Sequence, residues 1–488
     1  MEEPLPDGGA DGDSETTPLP REALEQLPHP WPETDLRWRI RQHVRAAGVV
    51  VVAVDDDPTG TQTVHDVPVL TTWARSDLEA ELRRGGDLFY LLTNSRALAQ
   101  PAAVALARRL GANLAQAARS VGRPLAVISR SDSTLRGHFP AETDALAETL
   151  ELQPHGQLLA PYFREGGRYT FGDVHYVLEG EWLIPAALTE FARDATFGFG
   201  HSNLRRWVEE KTGGRRPAER SLSLPLALIR QGGPEQVAKV LLQASGGQPI
   251  VVNAACDRDL EVVVLGLLRA EARGKRFLCR TAASFVKVRA GVSDRGLLSP
   301  SEVLGPSPMP GGGLVIAGSH VPRSTRQLDR LLSLPGWQPV ELDVTRLLDA
   351  EQARAHLANV QERLGGHLAQ GRNVALYTSR DLIAGAGGET SLLIGQTVSA
   401  AVVQMAAGLE RGPRFLIAKG GITSSDIATR ALGVRRAIVL GQVAPGVPVW
   451  RLGPESRFPS LPYVIFPGNV GDDCTLAEIA ASLAEVGA

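Results

Sequence analysis

The chain has 488 residues, 43% apolar and 22% charged, with a formal net charge of −3. That balance is globular, gives material for two or three ordinary domains and offers no electrostatic case for a nucleic-acid partner. Cys256, Cys279 and Cys474 lie far apart, which excludes a stapled mini-scaffold or a paired-thiol metal site and favours a reducing compartment.

The acidic, Pro- and Gly-rich residues 1–36 read as a disordered tail without the features of a secretory leader. No stretch approaches the roughly 18 uninterrupted apolar residues that a membrane helix requires, so a cytoplasmic location is expected. From Arg37 onward, β-branched runs alternate with Ala- and Leu-rich helical segments. This is the pattern of an α/β fold with mainly parallel sheets. Residues 49–54 read as a strand covered on both faces, followed by a helix near 77–84 and a strand at 88–92. A long helix over 101–121, with Pro101 where a missing N–H is harmless, leads to a strand at 125–128. Three strand ends therefore carry polar loops: Asp55-Asp56-Asp57-Pro58-Thr59-Gly60, Thr93-Asn94-Ser95-Arg96 and Ser131-Asp132-Ser133-Thr134-Leu135-Arg136-Gly137. In a parallel sheet all three open on one edge, where such sheets bind ligands. Asp, Pro, Thr and Gly are also ordinary turn residues, but a turn needs only one or two of them. Three successive carboxylates repel unless cations, donors or protonation relieve them, which favours a site.

Pro and Gly punctuate 298–313 so densely that no regular element is expected there, which divides the chain into a first domain at 37–303, a linker at 304–313 and a second domain at 314–488. The second domain reads as a strand at 314–317, a Gly318-Ser319-His320 loop, a helix from about 324, and strands at 373–377, 415–418 and 463–466. Two strand ends are Gly-rich, "LIAKGGITSSD" at 416–426 and "VIFPGNVGDD" at 464–473. Gly420-Gly421 can present backbone N–H groups to an anion. Thr423 with Asp426, and Thr475 with Glu478, read as helix caps, and Lys419 reads either as a lysine within reach of phosphate or, as is more common at a strand end, as a solvated one. Each loop alone is as readily a tight turn; together with Gly318-Ser319 they suggest a crevice lined by backbone donors. Neither a P-loop nor a Gly-x-Gly-x-x-Gly between strand and helix is present. The "GAGGET" run at 385–390 reads as a loop and helix start.

These residues resemble the four-carbon acid-sugar kinases, from about Val50 to Glu478. Asp56-Asp57-Pro58-Thr59-Gly60 is similar to the family's Asp-Asp-x-Thr-Gly, and Asp132-Ser133-Thr134-Leu135-Arg136-Gly137 to its most specific motif, with lesser matches at Ser95-Arg96 and Gly167-Arg168. In the second half Gly318-Ser319, Gly420-Gly421-Ile422-Thr423, Pro445-Gly446-Val447-Pro448 and Gly468-Asn469-Val470-Gly471 look like its nucleotide-domain loops. The resemblance implies an N-terminal sugar-binding and a C-terminal nucleotide-binding domain with the active site in the cleft between them. It implies ATP- and Mg²⁺-dependent phosphorylation of a threonate, erythronate or oxo-tetronate. Asp57 or Asp132 would be the catalytic base. Asp56, Thr59, Gly60, Ser95, Arg96, Ser133, Arg136 and Arg168 would bind substrate, and Ser319, Gly420, Gly421, Ile422, Thr423 and Gly468 would contact ATP. Forked Arg96 and Arg136 suit a substrate carboxylate. Pro58, the Ser129-Arg130-Ser131 lead and the long segment 179–230 depart from the family pattern. A homodimer is the base-rate expectation.

A competing reading takes Val54-Asp55-Asp56-Asp57-Pro58-Thr59 as the nucleophile loop of a haloacid-dehalogenase-type phosphatase, with Asp55 as nucleophile, Asp57 as general acid and Gly471-Asp472-Asp473 as metal site. It leaves the Asp132–Gly137 motif without a role. A non-catalytic sugar-acid or metal-binding protein is the third reading.

Overall fold

In the computed structural model of the chain, the described residues are 15–318, 322–380, 388–468 and 470–486, apart from the side chains of 388–392. The chain divides into two compact units, one of residues 1–60 and 72–294, the other of 61–71 and 295–488.

The first unit is built on seven parallel strands in the order Leu222–Leu224, Gln248–Val252, Gly156–Ala160, Phe277–Thr281, Leu125–Arg130, Val50–Asp55, Leu88–Leu92. All six residues of Val50–Asp55 are buried, because a parallel strand is covered on both faces. The chain leaves this strand toward Leu88–Leu92 on one side, then returns to Leu125–Arg130 on the other. The loops after Asp55 and Arg130 therefore diverge at a topological switch point, where open α/β sheets receive ligands. The helix Gln100–Val121 carries Pro near its start and ends on Gly122 at φ 73°, and its buried Ala103, Ala107, Leu110 and Leu114 recur at helical spacing. A Cβ at Gly111 would stand 2.1 Å from Thr149 Oγ1, so glycine lets this helix approach Ala141–Thr149.

The second unit places five parallel strands in the order Trp337–Leu342, Asn373–Thr378, Leu314–Ala317, Leu416–Lys419, Pro462–Phe466. Antiparallel Val447–Leu452 and Arg436–Ala444 continue the sheet, with Val67–Leu70 beyond them.

Three features differ from expectation. Residues 15–36 are structured: Leu19–Pro20 pairs with Trp182–Pro185, Leu19, Ala23 and Leu24 pack on Val174, Tyr176 and Leu183, and Glu15 accepts from Asn203 N and Arg206 Nη1. Apolar residues hidden among the prolines supply enough burial to order the segment. Residues 61–71 belong to the second unit, where Val67–Leu70 pairs with Arg436–Ala444 and Trp450 Nε1 donates to Thr61 Oγ1 at 3.0 Å. The punctuated stretch at 298–313 does contain a helix, Pro300–Leu304, because Ser299 and Glu302 form a capping box and Pro300 sits in its first turn. Val303 and Leu304 pack in the core of the second unit.

If residues 15–36 complete the first unit, deleting 1–36 lowers its melting temperature by roughly 5 °C or more. An unchanged melting curve by circular dichroism would restore the disordered-tail reading.

Candidate active site

The first unit gathers the three polar loops at the carboxyl ends of adjacent strands. Asp55 pairs in register with Arg130 across the sheet, and its Oδ1 accepts from Arg130 Nη1 at 2.9 Å and from Asp57 N at 3.1 Å. Burial pushes the Asp55 carboxyl up to about 7 in spite of Arg130. A Cβ on Gly60 would lie 1.7 Å from Asp55 Oδ2, so the loop can fold back over this carboxyl only as glycine. Asp56 is also buried, and its Oδ2 accepts from Ser131 Oγ at 2.6 Å. These two acids brace the loop.

Asp57 points elsewhere. Its Oδ1 accepts from Thr59 N at 2.7 Å and from Thr59 Oγ1 at 2.5 Å, while Oδ2 accepts from Arg96 Nη2. Arg96 reaches across to Asp132, with Nη1 at 3.2 Å from Oδ1, and Arg136 Nε donates to Asp132 Oδ2 at 2.7 Å. Burial raises the Asp132 carboxyl, but Arg96 and Arg136 together outweigh it and hold the group well below the usual carboxylate range. The cluster Asp57–Arg96–Asp132–Arg136 thus joins three strand ends through charge. Its side chains remain partly open, 23% at Asp57, 13% at Asp132 and 28% at Arg136.

Ser95 is fully buried, and its Oγ accepts from Thr93 Oγ1 at 3.1 Å and also bonds to Glu142, so its hydroxyl ties its own loop to that acid. Ser133 offers its carbonyl to His175 Nε2 at 2.7 Å, and His175 Nδ1 contacts Thr170 Oγ1 at 2.9 Å. Burial lowers the His175 imidazole to about 4, and the neutral ring that donates to Ser133 O fixes the Asp132–Gly137 loop. Arg168 starts a strand of the small antiparallel sheet, and its guanidinium shares the Phe191 ring with Arg136, at 5.4 and 5.1 Å from the centroid.

Several site residues escaped the sequence reading. Arg280, from the adjacent Phe277–Thr281 strand, donates to Ser131 Oγ at 3.2 Å and Arg136 O at 3.0 Å, and lies against Phe139 and Trp207. Segment 179–230 supplies Trp207, Phe191 and Asp194, whose Oδ2 is 3.8 Å from Arg136 Nη1. Arg280 carried only the weak signal of an arginine ending an apolar strand.

In the second unit Gly318, Gly420 and Gly468 follow neighbouring parallel strands. Gly420 has φ 110°, and a Cβ on Gly318 would meet Thr423 Oγ1 at 3.0 Å. Ile422 is 59% exposed. Ser319 and Asn469 lie outside the described residues, as do 385–387, while Gly388 starts a helix. Three local expectations are corrected. Thr423 lies inside the Gly421–Asp426 helix, which Gly420 precedes, so it is not the cap. Thr475 is the first residue of the final helix and not its cap: Cys474 holds the cap position, and Asp472 just before it satisfies the N–H groups of Cys474 and Thr475, its Oδ1 accepting at 3.1 and 2.9 Å. Lys419 is fully buried, donates from Nζ to Pro467 O at 2.7 Å and Gly468 O at 3.3 Å, and is lowered to about 7 by burial and Arg323.

This geometry counts against the phosphatase reading. Asp55 is 1% exposed and paired with Arg130, hence unfit as a nucleophile, and Asp472 is engaged by the N–H groups of Cys474 and Thr475.

Glu142, beside Asp56, is raised to about 7, mainly by burial. Between the ordinary glutamate value and about 7 the folded state then holds a proton that the unfolded chain has lost, so this group's contribution to stability falls as pH rises through that window. Glu142→Gln removes this titration, and its melting temperature relative to the parent should climb from pH 5 to pH 8. A constant difference would show that Glu142 does not titrate there.

Comparison with known proteins agrees with the division of labour. Residues 51–289 match the model of a sugar-binding N-terminal domain, and residues 314–476 that of a nucleotide-binding C-terminal domain. The chain is 27% identical over 353 residues to D-threonate kinase of Cupriavidus necator, covering 71% of this chain and 75% of that protein. It is 30% identical over 184 residues to D-erythronate kinase of Heliobacterium modesticaldum, covering 37% of this chain and 38% of that protein. A crystal structure from Salmonella typhimurium LT2 shares the fold at 18% identity, with TM-score 0.66 over 90% of this chain and 99% of that one. With its sugar-binding half preceding its nucleotide-binding half, the chain belongs to the four-carbon acid-sugar kinase family.

Proposed function

We propose that this protein transfers the terminal phosphoryl group of ATP to a hydroxyl of a four-carbon sugar acid of the threonate or erythronate type, with Asp57 as the base. The Asp57–Arg96–Asp132–Arg136 cluster carries this reading. Phosphoryl transfer asks the protein mainly to position and to balance charge. Arg96 and Arg136 each spend only part of a five-donor fork on protein carboxylates, which leaves donors for the carboxylate of a sugar acid. Arg168, against the same Phe191 ring as Arg136, is a third cation for that group.

Asp57 is favoured over Asp132 on two grounds. Its side chain is more exposed, and it contacts one arginine where Asp132 contacts two. Asp132, held ionised, accepts hydrogen bonds from substrate hydroxyls and keeps both guanidiniums in place. ATP would lie along Gly318, Gly420, Gly421, Thr423 and Gly468, together with Ser319. Magnesium, when bound, neutralises the triphosphate. Among the described residues no cluster of three or more His, Cys, Asp or Glu is poised for a metal, so the phosphates would be its main ligands. The free thiols fit a reducing cytoplasm.

The test is ADP release by purified protein given ATP and D-threonate or D-erythronate. Asp57→Asn should reduce kcat by about 10²-fold or more with a modest change in KM. Asp132→Asn should damage both constants, because Arg96 and Arg136 lose their common anchor, and calorimetric ATP binding should persist in both. Full turnover in both variants overturns the assignment; loss confined to Asp132→Asn transfers the base to that residue.

A further inference from the structure

The seven-stranded sheet also has an opposite end. Where its strands begin, a cavity of about 580 Å³ is floored by Leu125 and Phe277 and walled by Ala118 and Leu152, a size within the roughly 300–1,000 Å³ of small-molecule sites. Five-residue strands at about 3.3 Å per residue put it some 15 Å or more from the carboxylate cluster. Its rim is cationic: Arg119, Arg123, Lys275, Arg276 and Arg289 against Glu271.

Exposed arginines around a groove are ordinarily a solvated face, but Arg289 is not of that kind. It is 3% exposed, and Nη2 donates to Glu271 Oε2 at 2.8 Å. Its Nη1 is buried with no hydrogen-bond partner among the described residues. Leaving such a donor unmet is unfavourable by about 1–3 kcal/mol or more; Nη1 is closed off in this conformation, so a ligand's acceptor relieves it when the guanidinium turns toward the cavity that Arg289 lines. Nearby, Arg123 Nε and Lys275 Nζ donate to the backbone at Gly48 O and Ala244 O, which holds both cations against the cavity.

We propose that this cavity is a second ligand site, for a small amphipathic anion whose carboxylate or phosphate head meets Arg289 and whose aliphatic or aromatic body lies on Ala118, Leu125, Leu152 and Phe277. A four-carbon sugar acid, hydroxylated at each carbon, has no such body, so the site is distinct in chemistry as well as in place. It stands independently of the kinase mechanism.

Octanoate and octyl phosphate, titrated calorimetrically into the full chain with 1-octanol as the uncharged control, test this. At least one anion should bind saturably at one per chain, and the alcohol should not. Response to octanoate alone identifies a carboxylate ligand, to octyl phosphate alone a phosphate ester, and to both the shared anionic chemistry. The exposed pair Arg119→Glu and Arg276→Glu should weaken binding at least tenfold with the melting curve unchanged, and Ala118→Trp, which fills the cavity, should abolish it. Absence of saturable binding by both anions, equal binding of 1-octanol, or an affinity unchanged by the charge reversals overturns the proposal.

Discussion

Three consecutive carboxylates at the end of a buried strand can be held only if their charge is met locally, and the arginines that meet it decide the shape of the site. Two unit charges about 4 Å apart interact by roughly 4 kcal/mol at an effective dielectric constant near 20, so the positions of Arg130 and Arg96 are not incidental. Arg130 comes from the next strand and takes Asp55 in register. Arg96 comes from the strand on the other side and draws Asp57 and Asp132 together. The first acid is thereby buried as a brace and the third is turned outward, its side chain partly open. Burial raises the Asp55 carboxyl to about 7, so near neutrality the loop carries less negative charge than three ordinary aspartates would.

The parts of this arrangement that were legible in the sequence share one physical cause. A parallel strand buried on both faces must be written as an unbroken apolar run, so 49–54 and 88–92 announce both the strands and the polar loops that end them. What was not legible depends on partners remote in the chain. Arg280 lies in the Phe277–Thr281 strand, and only the strand order puts that strand beside Leu125–Arg130. Val67–Leu70 is a four-residue run whose pairing partner is more than 360 residues away, and nothing local marks it as part of the other unit. Lys419 misled because a lysine at a strand end is usually solvated; here two carbonyls and the Phe466 ring, 4.2 Å from Nζ, replace water.

The two units repeat one topological device with different chemistry. In each, the chain leaves a central strand on one side and returns on the other, Val50–Asp55 in the first unit and Leu314–Ala317 in the second. The first furnishes its switch point with side-chain charge. The second furnishes its own with glycines, whose backbone N–H groups would serve the polyphosphate of the proposed nucleotide without steric hindrance. The contrast fits the partners proposed above: a small acid with several hydroxyls would need directional donors and acceptors, whereas a triphosphate would need close approach.

Segment 179–230 ties these observations together. It is longer than the family pattern suggests, yet it is not an idle insertion. Phe191 lies against both Arg136 and Arg168, Asp194 faces Arg136, and Trp207 stacks on Phe139 at 4.8 Å beneath Arg280. Two guanidiniums against one aromatic ring repel each other, and the ring, Asp194 and Asp132 offset that repulsion. Arg168 Nε is buried with no hydrogen-bond partner among the described residues, so a carboxylate acceptor there would meet a donor that the protein leaves unmet. The same electrostatic rule that shapes the acidic loop therefore operates here too: guanidiniums held in place by aromatic packing and protein carboxylates keep unused donors that an incoming anion would engage.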